Sequence, residues 1–164
     1  MNAINGAIVS AKNKNANPVM AQWLVDFIDL YQQLDHSQLH RLDEVYSQDI
    51  IFEDPLHYVE GLTALTGYFE HMYANVLGCN FKITNHFSAA DNPQQAALYW
   101  TMQLRHKKLN GGQSITVKGH SQLVARQGKI IYHRDYFDLG NMLYEQLPFL
   151  GALIRKVKQQ AAKV

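Results

Sequence analysis

Cysteine, proline and charge of either sign are all scarce in this chain. There is one cysteine, Cys79, four prolines, and 18% of residues are charged. One cysteine excludes an intrachain disulfide framework and a cysteine-built zinc site, and it fits a reducing compartment. The formal net charge is +1 with histidine neutral. The basic excess of a dedicated nucleic-acid binder is therefore missing, and no nucleic-acid partner is expected. No apolar run approaches the ~20 residues of a membrane span. Residues 1–17 are rich in Asn and Ala, with a weak apolar patch at Ala7-Ile8-Val9, and lack the apolar core of a signal peptide. This segment reads as a flexible cytoplasmic leader, and a membrane partner is not expected. A serine nucleophile elbow, a phosphate-binding glycine loop and a zinc motif are also missing. His36 and His40 stand four apart but have no third ligand at suitable spacing. Neither a metal nor a cofactor is expected.

What is present is a core. Hydrophobic residues make up 47% of 164, enough for one domain that buries about 70% of its unfolded surface. Asn17-Pro18 predicts a helix start, followed by Met20, Trp23, Leu24, Phe27, Ile28, Tyr31 and Leu34 at helical spacing. Asp35 or Ser37 predicts the cap of a second helix bearing Leu39, Leu42, Val45 and Tyr46. Ile50-Ile51-Phe52 predicts a short strand ended by Pro55. Gly61 leads a third helix with Leu62, Leu65, Phe69, Met72, Tyr73 and Val76 on its apolar stripe, and Gly78 suits its C-terminal cap.

From Cys79 onward the pattern alternates. Cys79, Phe81 and Ile83 predict one strand, and Ala97 to Leu109 a long second one. Asn110-Gly111-Gly112 predicts a hairpin, Ile115 to Arg126 a third strand, and Gln127-Gly128 a turn into a last strand, Lys129 to Asp138. Helices followed by an antiparallel meander indicate α+β. Such a curved sheet, covered by the first helices, forms a half-barrel whose open mouth is the natural place for a pocket. Residues 141–164 then predict an amphipathic C-terminal helix with a basic end. It is expected to pack on the same domain or on a dimer partner. Binding to a membrane surface is the sharper alternative.

Three segments carry a family resemblance. Tyr46-Ser47-Gln48-Asp49-Ile50-Ile51-Phe52-Glu53-Asp54-Pro55 resembles the helix-to-strand passage of nuclear transport factor two-like proteins. Gly61 to Tyr73 resembles the glycine-led helix that follows it. Gly128-Lys129-Ile130 leading to His133-Arg134-Asp135-Tyr136-Phe137-Asp138 resembles the last hairpin of the SnoaL-like branch. The resemblance covers roughly residues 20–140 and implies a cone-shaped α+β domain over residues 18–140 with a deep pocket. The superfamily includes ketosteroid isomerase, limonene epoxide hydrolase, polyketide cyclases and non-catalytic binding domains, so fold alone does not settle function. Many members pair through the convex face of the sheet, so the resemblance implies a homodimer.

Asp54 resembles the proton-abstracting aspartate of ketosteroid isomerase. An aspartate at a strand end facing an apolar cavity could exchange a proton with a bound carbon acid. The competing reading is an Asp-Pro turn whose carboxylate bonds nearby backbone amides. Asp135 resembles the pocket acid of the SnoaL-like branch and shares a strand face with His133 and Phe137. Its competing reading is an ion pair with Arg105, Arg134 or His133. His120 stands where the isomerase has a hydrogen-bond donor to the oxyanion, and faces inward only if Gly119 and Ser121 face outward. Asp54, Asp135, His120 and His133 are the catalytic candidates.

Two departures narrow the choice. The isomerase uses a tyrosine of its first helix, and counting back from Asp54 gives Leu30, with Tyr31 adjacent. The epoxide hydrolase uses an Arg-x-Asp pair, and the comparable stretch here is Arg105-His106-Lys107. Tyr46, Phe52, His57, Phe69, Trp100, Met102 and Phe137 are the expected pocket lining. They suit a small apolar or ring-shaped ligand. Two function classes follow: a cofactor-independent isomerase, cyclase or dehydratase moving protons on an apolar carbonyl compound, and a non-catalytic ligand-binding or protein-interaction domain.

Overall fold

A computed structural model of the chain describes residues 20–163. The readings of residues 1–17 as a leader and of Asn17-Pro18 as a helix start lie outside these residues. Helix α1 (Gln22–Gln33) buries Trp23, Leu24, Phe27, Leu30 and Tyr31, which recur every three or four residues. The Asp35 carboxylate caps the next segment by accepting from the Ser37 N–H at 2.7 Å. That segment is a 3-10 stretch (His36–Arg41) running into a single turn, α2 (Leu42–Val45), rather than one long helix. Tyr46 opens strand β1 (Tyr46–Glu53), which is longer than the expected Ile50–Phe52. A short strand β2 (Tyr58–Glu60), not foreseen, pairs back on it. Helix α3 (Leu62–Tyr73) follows Gly61.

The remaining strands are β3 (Val76–Ser88), β4 (Gln95–His106), β5 (Ile115–Arg126) and β6 (Lys129–Phe137). Gly78 lies inside β3 and does not cap α3. Chain reversal between β4 and β5 takes a longer loop than a tight hairpin, with Asn110, Gly111 and Gly112 all at positive φ. Leu109 belongs to that loop and folds inward. The six strands form one curved sheet in the order β2-β1-β6-β5-β4-β3, antiparallel except for the β1–β6 pair. This is the expected α+β architecture, with α1 and α3 packed on the inner face.

Alternation decides which side chains look inward. In β4 these are Ala96, Leu98, Trp100, Met102 and Leu104, and in β5 Ile115, Val117, Ser121, Leu123 and Ala125. Strand β6 changes phase midway. Ala125 pairs with Ile130 and Val124 with Tyr132, so Ile131 is an extra residue, a β-bulge. The bulge switches the inward set from Ile130 to His133, Asp135 and Phe137.

After β6, Asp138 caps a short turn α4 (Leu139–Met142), and a 3-10 turn (Tyr144–Gln146) leads to α5 (Pro148–Ala161) with Pro148 at its start. Helix α5 is present as expected and rests chiefly on the Tyr144–Gln146 turn. Gly151 is its buried residue, while Leu150, Leu153 and Val157 are exposed. Among the described residues, no helix is long and apolar enough to cross a membrane.

Candidate functional site

A cavity of about 510 Å³ opens between α3, the concave face of the sheet and the α4 segment. That volume suits a small organic molecule. Its wall is aromatic and thioether-rich, with Phe52, Phe69, Phe81, Trp100, Met102 and Phe137, and polar groups enter at few points. Cys79 lies in the wall, and burial pushes its thiol up to about 12, so it is not a thiolate at neutral pH.

Asp135 projects into this cavity with its side chain 16% exposed. Oδ1 accepts from Ser121 Oγ at 2.5 Å and bonds His133 Nε2 at 2.9 Å. The Trp100 indole N–H, which can only donate, reaches Ser121 Oγ at 2.9 Å, so the Ser121 hydroxyl proton goes to Asp135. Behind Asp135, His133 is fully buried. Its Nδ1 lies 2.7 Å from the Tyr46 hydroxyl, which lies 2.7 Å from the Tyr31 hydroxyl. Burial, with the Asp135 charge adding to it, holds both phenols well above their ordinary pKa, so they stay protonated. His133 Nε2–H donates to Asp135, and the Tyr46 and Tyr31 hydroxyls continue the hydrogen-bonded chain from Nδ1. Two donor chains thus converge on Oδ1. No described residue donates to Oδ2, which is left to the cavity.

Asp54 is placed differently. Its side chain is 6% exposed and lines the cavity, but both oxygens are engaged. Oδ1 accepts from the backbone N–H of Leu56 and of His57, each at 2.7 Å, and lies 3.1 Å from His57 Nδ1. Oδ2 accepts from the Tyr68 hydroxyl at 2.6 Å. Burial first, then this bond and the Asp54 charge, raise the Tyr68 phenol far above its ordinary value. The Asp-Pro turn and the cavity wall are therefore the same structure, and Asp54 holds it together.

The other expected site residues divide. Phe52, His57, Phe69, Trp100, Met102 and Phe137 line the cavity. Tyr46 and His133 are buried behind the wall and connect to the cavity through Tyr31 and Asp135. His120 is on the opposite face of the sheet, between the rings of Tyr99 at 5.4 Å and Tyr136 at 4.7 Å. The reason is alternation: Gly119 and Ser121 face inward, so His120 cannot. Arg134 pairs with Glu53, leaving His133 as the partner of Asp135. Tyr31, Tyr68 and Ser121 were not among the expected site residues. Tyr31 lines the cavity although the count from Asp54 pointed to Leu30, which is core. The signal for Ser121 was the indole N–H of Trp100, which needs an acceptor once buried. Among the described residues, no group of three His, Cys, Asp or Glu side chains is placed to hold a metal ion.

Comparison with known proteins gives a consistent picture. The profile of the SnoaL-like domain matches residues 27–133. A protein of ketosteroid isomerase-like fold from Catenulispora acidiphila, crystallised with trimethylamine, superposes with a TM-score of 0.63 at 16% identity, covering 77% of this chain and 94% of that one. A candidate SnoaL-like polyketide cyclase from Jannaschia gives 0.64 at 12% identity, covering 77% and 92%. An LEH-like epoxide hydrolase from M. tuberculosis gives 0.59 at 19% identity, covering 82% and 93%. At such identities the likeness establishes the fold. Among curated proteins, no sequence matches the chain significantly.

Proposed function

The chain belongs to the SnoaL-like domain family, and from that premise we propose that it is a cofactor-independent enzyme moving a proton on a small apolar carbonyl compound, with Asp135 as the acid–base group. One observation carries this reading: a carboxylate oriented by two buried donor chains presents a free oxygen to an apolar cavity. A base so held costs little reorganisation when it reacts. Oδ2 would take a proton from the carbon next to the carbonyl, and the electron pair of that C–H bond would move to the carbonyl oxygen as an enolate. Return of that proton at the γ-carbon of a conjugated enolate gives isomerisation, and its transfer to a β-hydroxyl, which leaves as water, gives dehydration. Phe81, Trp100 and Phe137 would hold a flat ring against the carboxylate. His133 is a positioning residue in this scheme, and Asp54 shapes the cavity.

We also take the chain to pair with a second copy through the convex face of the sheet. Exposed Phe87, Tyr99 and Tyr136, with half-buried His120 stacked between the last two, form a continuous aromatic row across four strands there. Sedimentation should give a dimer that Tyr99→Glu dissociates. A wild-type monomer would remove this part of the reading.

The catalytic part is tested by a thermal-shift screen against flat enones, ketones and polyketide-like compounds, followed by turnover of any hit. Ligand at about 100 times its dissociation constant stabilises by roughly 2.7 kcal/mol, a rise of about 5–10 °C. Asp135→Asn should keep the shift and lose about 10²–10⁴-fold in rate. Binding with no turnover by the wild type would establish a ligand-binding domain instead.

A further inference from the structure

Helix α5 turns the opposite side to the domain from the one a core-forming helix would use. Its inward side is Gly151, where an added Cβ would lie 2.2 Å from the Glu145 carbonyl oxygen. Beside it, Arg155 Nη1 donates to that same carbonyl at 3.2 Å, and Lys158 pairs with Glu145 and Asp138. Ile154 is half-buried, and the other large apolar residues of the helix point away. Phe149 is 93% exposed, and Leu150, Leu153 and Val157 follow it at helical spacing, also exposed.

Charge is concentrated on the same helix. Residues 148–164 hold four of the fifteen basic residues and no acidic one, whereas the eleven remaining basic residues face fourteen carboxylates. A slightly acidic domain thus carries one basic helix, and that helix is the one whose apolar stripe is exposed. Lys158 is used to fasten the helix to the domain. Lys156 and Lys163, seven apart, share a flank of the stripe. A second copy of α5 laid on this stripe would bring Lys156 and Lys163 against the same pair, which opposes self-association there. The surface that complements it is negatively charged, planar and able to accept an apolar stripe at shallow depth.

We infer that α5 is a membrane-surface helix that lies in the interface of an anionic bilayer, with Phe149, Leu150, Leu153 and Val157 at the acyl boundary and Lys156 and Lys163 at the headgroups. Leu143 and Leu147, just before the helix, line the cavity, so a helix seated this way sets the cavity wall beside the lipid. The inference does not depend on the reaction proposed above.

Flotation of the full chain with phosphatidylcholine vesicles, with and without phosphatidylglycerol, tests it. Partition into the anionic vesicles should exceed that into neutral ones by at least tenfold. It should fall when ionic strength rises from about 0.01 M to 1 M, which shortens the Debye length from ~30 to ~3 Å. Leu153→Glu should lower it at least tenfold, and the double variant Lys156→Gln, Lys163→Gln by roughly 25-fold, since each basic residue near an anionic surface contributes roughly fivefold. All three positions are exposed, so circular dichroism and the thermal transition should stay as in the wild type. The salt arm needs no variant. No partition, or equal partition into neutral and anionic vesicles, would overturn the inference. So would a dimer that Leu153→Glu dissociates, which would assign the stripe to a second copy.

Discussion

Gly119 holds an inward position of β5 without a side chain because Trp100 fills that space. A Cβ there would lie 2.4 Å from Trp100 Cη2 and 2.7 Å from the Tyr136 carbonyl oxygen. The backbone oxygen cannot step aside as a flexible side chain could. Gly119→Ala should therefore cost about 1–3 kcal/mol, lowering the thermal midpoint by several degrees, and should shift tryptophan emission as the indole leaves Ser121. An unchanged midpoint and spectrum would mean the ring is not packed as described. The buried tyrosines make a second prediction. Burial raises the phenols of Tyr31, Tyr46, Tyr68 and Tyr73 above the ordinary 10.0, so the folded chain holds these protons more tightly than the unfolded chain. The stability this confers is complete below pH 10 and is lost as pH climbs above it. Midpoints measured from pH 8 to 11 should fall steeply at the alkaline end, and less steeply in Tyr46→Phe. Equal slopes in the two proteins would contradict the buried phenol chain.

At the scale of elements, the Ile131 bulge decides the chemistry. With strict alternation from Ile130, the inward residues of β6 would be Tyr132, Arg134 and Tyr136, and Asp135 would sit on the convex face. Deleting Ile131 removes the extra residue and brings Tyr132 directly after Ile130, so regular alternation keeps His133, Asp135 and Phe137 inward. The expected result is a cooperative transition within about 3 kcal/mol of the wild type, with Asp135 still at the cavity. Loss of the cooperative transition would contradict the reading of Ile131 as the extra residue. The same strand shows what was legible in the sequence. Helical spacing in α1 and α3 and the order of helices before strands gave the architecture, because apolar periodicity records which side is covered. His133, Asp135 and Phe137 could be grouped on one face by alternation alone. Which face they shared depended on a bulge that leaves no residue signature. His120 failed for the related reason that either phase of β5 was open until Gly119 and Ser121 were seen packed beneath Trp100. Strand β2 was missed because three residues after a turn are too few to alternate.

The whole molecule joins a general scaffold to particular side chains. The family and the fold are settled by a profile over residues 27–133 and by the sheet itself, yet neither says which of two cavity aspartates works. The distinction comes from hydrogen bonding. Asp54 spends five contacts on the turn and on Tyr68, whereas Asp135 keeps an oxygen free. Asp54→Asn should accordingly lower stability by about 1–3 kcal/mol through the Tyr68 and turn contacts, read as the thermal midpoint, while leaving any proton transfer measurable. Sequence placed both residues at the cavity but could not separate them, since Asp-Pro turns and catalytic aspartates begin with the same residue pair. The most direct measurement of the central claim is solvent deuterium incorporation, followed by proton NMR, into a carbonyl ligand bound by the wild type, Asp135→Asn and Asp54→Asn. The account predicts exchange at the carbon next to the carbonyl in the wild type and in Asp54→Asn, and a loss of about 10²-fold or more in Asp135→Asn. Equal exchange in Asp135→Asn, or no exchange by a wild type that demonstrably binds the ligand, would contradict it.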